Sequence, residues 1–167
     1  VIYLFDETPN TFAARTQAMG LALRPHLDAG RIVLRQVDPA ELSPGEFVHG
    51  VYDEVEAGAR FIAVDSLSGY LNAMPEEKFL VVLLHELLTF LAQRETLVFL
   101  VAPQHGFIGT FESSIDISYL ADTVILTRYF EANGSVHNAI SIMKQRNGPH
   151  EKTIREFHIS NRGLTVG

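Results

Sequence analysis

Two apolar runs in this 167-residue chain end on acids. FIAV (Phe61–Val64) leads into Asp65 and Ser66, and VIYLF (Val1–Phe5) leads into Asp6 and Glu7. Ligands of open parallel sheets bind beyond the carboxyl ends of the strands, so both strand tips stand where chemistry is expected. An acid held by a rigid apolar strand suits a magnesium ion beside nucleotide phosphates, because Mg2+ takes oxygen ligands and keeps several waters. Adjacent acids, one of them buried near a phosphate, could polarise an attacking water as a general base. Plainer roles compete. Asp65 could cap the following turn, and Asp6 with Glu7 could be an acidic helix start favoured by the helix dipole, which by itself explains that pair better. A third group, KQRNGPHEK (Lys144–Lys152), gathers Lys144, Arg146, Lys152 and His150 around a Gly-Pro turn. Arginine would hold phosphate oxygens through two parallel N–H bonds and lysine as a point charge, but a solvated basic loop fits equally well. If the strand before this turn continues through Arg146, then Lys144 and Arg146 share a face.

The elements that must position these groups alternate between strand and helix. After the Val1–Phe5 strand, Thr8 before Pro9 predicts a helix start, and the helix runs to about Leu27 with Pro25 bending or breaking it. Gly30 punctuates, and RIVLRQV (Arg31–Val37) is a second strand. Ser43, Pro44 and Glu46 form a capping-box signature for a helix that ends near Ala57 at Gly58. Phe61–Val64 is the third strand. PEEKFLVVLLHELLTFLAQRE (75–95) is the next helix, apolar enough to predict burial on more than one side. LVFLVA (Leu97–Ala102) is a fourth strand. Continuous apolar runs predict strands covered by helices on both faces of a mostly parallel sheet with right-handed crossovers. Beyond Asp122 the pattern changes: TVILTRYF, Asn133-Gly134 and SVHNAISIMK read as a β-hairpin, and TIREFHI (Thr153–Ile159) as a further strand. The fold class is therefore α/β, with a C-terminal antiparallel hairpin extension.

Bulk composition narrows the function. The length suits one domain, and a hydrophobic content of 47% with 20% charged residues is that of a globular protein. There is no cysteine, which excludes disulfides and thiolate metal sites. A net charge of −7 opposes a sequence-independent grip on nucleic acid. No apolar run is long enough to span a membrane, and a cytoplasmic location is expected. A metal hydrolase lacks clustered ligands: His85-Glu86 has no second histidine at helical spacing, which leaves His85 expected near the core. Ser66 and Ser68 do not form G-x-S-x-G, so a nucleophile elbow is not supported. The chain opens at Val1 inside a strand-like run without an initiator methionine, which predicts a further segment N-terminal to it.

The strings VDSLSGYLNAMPEE, LHELLTFL, SYLADTVILTRYFEANG, AISIMKQRNGPHEKTIREFHIS and NRGLTVG, in this order, closely resemble the KaiC family of RecA-like ATPases. The resemblance covers nearly all of residues 1–167 as a single domain. It implies a RecA-like core in the P-loop NTPase superfamily, a homo-hexameric ring with ATP and Mg2+ at subunit interfaces, and coupling to signalling partners. Asp65, with Ser66 beside it, matches the Walker B aspartate that supports magnesium indirectly. Asp6 and Glu7 fall on paired catalytic glutamates, and the shorter first acid makes Glu7 the better base candidate. Lys144, Gln145, Arg146, Gly148, His150 and Lys152 fall on the stretch that reaches the nucleotide of the neighbouring subunit.

Two departures qualify the resemblance. The family's phosphate loop, G-x-x-x-x-G-K-[ST], occurs nowhere in these residues, so its backbone cradle, lysine and magnesium hydroxyl are not supplied here. The expectation is an N-terminally truncated domain, inactive by itself. The clock members' Ser-Thr phosphoacceptor pair falls on Ser118 and Tyr119, leaving Ser118 as the candidate acceptor of an autokinase reaction. Phe107–Ser114 would be a Gly-hinged loop facing the ring pore, where Glu112 and Asp116 disfavour DNA. The alternative to an ATPase is a protein-interaction or assembly module that needs no nucleotide.

Overall fold

The protein is described here by a computed structural model covering residues 1–72, 77–103 and 119–167. It divides into two units: one formed by Val1–Gln17 with Ala22–Pro103, the other by Ala18–Leu21 with Gln104–Gly167. In the first unit β1 (Ile2–Leu4) pairs in parallel with β2 (Leu34–Gln36) and β3 (Phe61–Asp65), and β3 pairs with β4 (Leu97–Val101). The result is a four-stranded parallel sheet in the order β2-β1-β3-β4.

Local sequence explains most helix ends. α1 (Pro9–Ala18) starts where Thr8 Oγ1 accepts the N–H of Thr11 at 3.2 Å. It ends before Gly20, whose φ of +77° is open to glycine at little strain. The expected continuation to Leu27 is therefore wrong. Pro25 does not break a helix; it lies in the first turn of a separate short one, α2 (Arg24–Asp28), where its missing N–H has no helical partner to lose. α3 (Pro44–Glu56) carries the expected capping box: Ser43 Oγ accepts the Glu46 N–H at 3.3 Å, and the Glu46 carboxylate accepts the Ser43 N–H at 2.8 Å. α4 (Leu67–Asn72) follows β3 directly and was not expected; α5 (Glu77–Gln93) was.

The core of this unit is an aromatic cluster beside a leucine stripe. Phe47 of α3 meets Tyr3 at 5.0 Å, Phe5 at 5.5 Å and Tyr70 of α4 at 5.2 Å between ring centroids. Such edge and tilted contacts add to the area that the rings bury. On α5, Leu80, Leu84, Leu87 and Leu91 are buried, whereas Phe79 and Val82 are 62% and 55% exposed. The helix thus buries one stripe, not several sides, and His85 is exposed rather than close to the core. A similar correction applies to β4, where Leu97, Phe99 and Val101 are exposed between half-buried Val98 and Leu100. Continuous hydrophobicity overstated burial because it cannot tell a covered face from an apolar face left open.

The second unit holds an antiparallel sheet of its own, in the order β5-β6-β7-β8. β5 (Thr123–Ala132) and β6 (Ser135–Gln145) are joined by Asn133 and Gly134, with φ of +52° and +73°. Both angles are positive, as a type I′ hairpin turn requires. β7 (Arg155–Ser160) was expected; β8 (Gly163–Val166) adds a strand that alternation alone had not marked. Across β6 and β7, His137 Nδ1 lies 2.6 Å from Glu156 Oε1, and this hydrogen bond raises the proton affinity of the ring.

Candidate functional site

The register of the parallel sheet builds the acid site. Leu4 pairs with Asp65, so the residues just past β1 lie beside the tip of β3. The Phe5 N–H donates to the Asp65 carbonyl at 2.8 Å, extending the pairing by one step. The next residue, Asp6, then accepts the hydroxyl proton of Ser66 at 2.5 Å between oxygens. Ser66 is buried, and this bond satisfies a hydroxyl that would otherwise be costly to desolvate. The Asp65–Ser66 peptide is cis. The four acid-site residues predicted from sequence are thus brought together at the carboxyl end of the sheet.

Two residues that sequence reasoning missed complete the arrangement. Arg15, on α1, returns to the strand tips: its guanidinium binds the Glu7 carboxylate and lies 4.0 Å from Asp65 Oδ2. It also stands over the Phe12 ring at 5.1 Å. Burial pushes the Asp65 carboxyl above the ordinary range, Arg15 opposes that rise, and Glu7 and Asp6 reinforce it. The second is Gly69 in α4. A Cβ there would fall 2.4 Å from Phe5 Cβ and 3.3 Å from Asp6 Oδ1. Phe5 Cβ is tied to the backbone and cannot swing away, so Gly69 is what lets α4 approach the acid tip. Gly69→Ala is expected to destabilise the fold by about 1–3 kcal/mol, the usual range for overpacking, and to displace Asp6. Urea unfolding would measure it, and an unchanged midpoint would contradict the close approach.

The donor set of Asp65, Asp6, Glu7 and Ser66 is entirely oxygen, the chemistry a hard cation such as Mg2+ prefers. Among the described residues, no group of three or more His, Asp or Glu side chains could hold a metal by itself. That oxygen chemistry fits an ion that keeps several of its waters.

The cationic group lies in the second unit. Lys144 pairs in register with Val124 and Gln145 with Thr123, but β6 ends at Gln145. Arg146 is therefore in the turn beyond the strand, and the shared face expected for Lys144 and Arg146 does not apply. Its guanidinium holds Asp122 Oδ1 at 3.0 Å and donates to the Tyr119 carbonyl at 3.1 Å. Gly148 has φ of +150°, His150 is half-buried and Lys152 exposed. Ser118 and the Phe107–Ser114 loop lie outside the described residues. Among the described residues no helix is long and apolar enough to cross a membrane.

Comparison with known proteins agrees with the geometry. The family model for the KaiC ATPase matches residues 1–167. The circadian clock oscillator protein KaiC of Parathermosynechococcus lividus is 24% identical over 99% of this chain and 31% of its own length. That of Synechococcus elongatus is 33% identical over 63% of this chain and 20% of its own length. This chain thus spans less than a third of either relative. The crystal structure of a KaiC-like protein from the archaeon Pyrococcus horikoshii superposes with a TM-score of 0.82 at 20% identity, over 99% of this chain and 74% of that one. That likeness shows the RecA-like fold. The chain belongs to the KaiC ATPase family.

Proposed function

We propose that this chain forms the acid half of a magnesium-dependent ATP-hydrolysing site in a ring-forming, KaiC-type protein. The observation that carries the reading is the convergence of Asp6, Glu7, Asp65 and Ser66 at the carboxyl end of the sheet, fixed by the β1–β3 register. Bound Mg2+ would supply charge neutralisation of the phosphates. Asp65 would be the residue that holds that ion, and Ser66 fixes Asp6. Glu7 takes the proton from the attacking water. Lys144, Arg146, His150 and Lys152 serve the nucleotide of a neighbouring copy, with Gln145 and Gly148 shaping their loop. The ring, its hexameric count, the coupling to signalling partners and the cytoplasmic setting belong to the same proposal. So do a phosphate loop supplied from outside these 167 residues and phosphate acceptance by Ser118.

The test is phosphate release by the whole protein with Mg-ATP. Asp65→Asn is expected to lower the rate at least tenfold and to raise the magnesium concentration needed for half-maximal rate. An Asp65→Asn protein with normal magnesium dependence would remove Asp65 from the metal site.

A further inference from the structure

The acid site already contains a cation of the protein's own. Asp6, Glu7 and Asp65 bring three carboxylates to the strand tips, and Asp6 is engaged by a neutral hydroxyl. The positive charge on them comes from Arg15, bound to Glu7 and 4.0 Å from Asp65. Among the described residues, one guanidinium thus faces three carboxyl groups. Glu7 presents a second difficulty, because a carboxylate committed to a guanidinium is poorly placed to accept a proton from water. The pair is also easy to open. The Arg15 side chain is 49% exposed and that of Glu7 20%, and water at the guanidinium weakens the pair. The long Arg15 side chain leaves from a helix face, and its stacking on Phe12 can remain when the carboxylates are released.

We propose that Arg15 is a resident counter-ion that holds Glu7 and Asp65 in the resting site and yields them when a divalent cation arrives. Glu7 is then free to accept a proton only once the metal charge is in place. This inference rests on the magnesium reading of the site. Arg15 is thus a positioning residue, acting through Glu7 and Asp65.

The test needs no turnover. Mn2+ alone is titrated into the whole protein and free Mn2+ is read by electron paramagnetic resonance at low salt. Arg15→Gln is expected to bind Mn2+ about thirtyfold more tightly, the worth of one unit charge about 4 Å from a divalent ion in a water-exposed site. Arg15→Lys keeps the charge and is expected to stay within about twofold of the parent on the same ground. Adding Asp65→Asn to Arg15→Gln should abolish the gain. Unchanged or weaker binding by Arg15→Gln overturns the proposal, as does a gain that survives Asp65→Asn or appears equally in Arg15→Lys. If neither the parent nor Arg15→Gln binds Mn2+ at millimolar concentration, Arg15 guards no cation and the proposal fails. The magnesium reading, which draws further ligands from phosphate, stands or falls instead on the magnesium dependence of Asp65→Asn.

Discussion

Replacing Glu7 with Gln in the whole protein is expected to slow ATP hydrolysis by roughly 10²–10⁴-fold, the usual worth of a positioned general base, with nucleotide affinity nearly unchanged. Gln keeps the size and the hydrogen-bonding oxygen of Glu but cannot take a proton from water. Its neighbour Asp6 is placed differently. Asp6 is one carbon shorter and accepts the Ser66 hydroxyl at 2.5 Å, which ties it to the strand tip. Asn can still accept that bond, so Asp6→Asn should cost less than Glu7→Gln. Phosphate-release rates decide between them, and an Asp6→Asn protein that is the slower of the two would reverse the assignment.

Arg146→Ala in the whole protein is expected to lower hydrolysis by about 10³–10⁵-fold, as loss of an arginine acting on the transferred phosphoryl group does elsewhere. Its contacts in this structure, to Asp122 and the Tyr119 carbonyl, are exposed ones, and such ion pairs hold weakly enough to exchange for a phosphate. Action across a subunit boundary is tested by mixing. An Arg146→Ala protein with its own phosphate loop intact is combined with a phosphate-loop knockout that keeps Arg146. Each should be inactive alone, and mixed rings should regain activity wherever intact loop and intact arginine meet. If no mixture recovers hydrolysis, Arg146 acts within its own subunit.

Legibility in the sequence followed the range of the forces involved. The capping box at Ser43 and Glu46 and the Asn133-Gly134 turn depend on residues a few positions apart, and both stand as expected. The strand tips at Asp6 and Asp65 were legible because an apolar run ending in an acid marks both the strand and its edge. Pro25 was misread because proline breaks a helix interior but is accommodated in a first turn; which applies depends on where the preceding helix stops. Arg15 had no local signature. It lies eight residues beyond Glu7, and only the path of α1 brings it back to the acids. Gly69 could have been suspected from its place in a short helix immediately after a buried strand, but its reason is a through-space approach to Phe5. The open face of β4 was illegible for the same cause: hydrophobicity reports what a residue would bury, and the fold decides whether anything covers it.

The most direct measurement is a crystal structure of the whole protein with Mg2+ and a non-hydrolysable ATP analogue. The metal is predicted beyond the tips of β1 and β3, with Asp65 contacting it through water, Glu7 facing the terminal phosphate and Asp6 still holding Ser66. A nucleotide and metal bound elsewhere, with the Asp65 and Glu7 carboxylates turned to solvent, would contradict the assignment of these acids to the ATP-hydrolysing site.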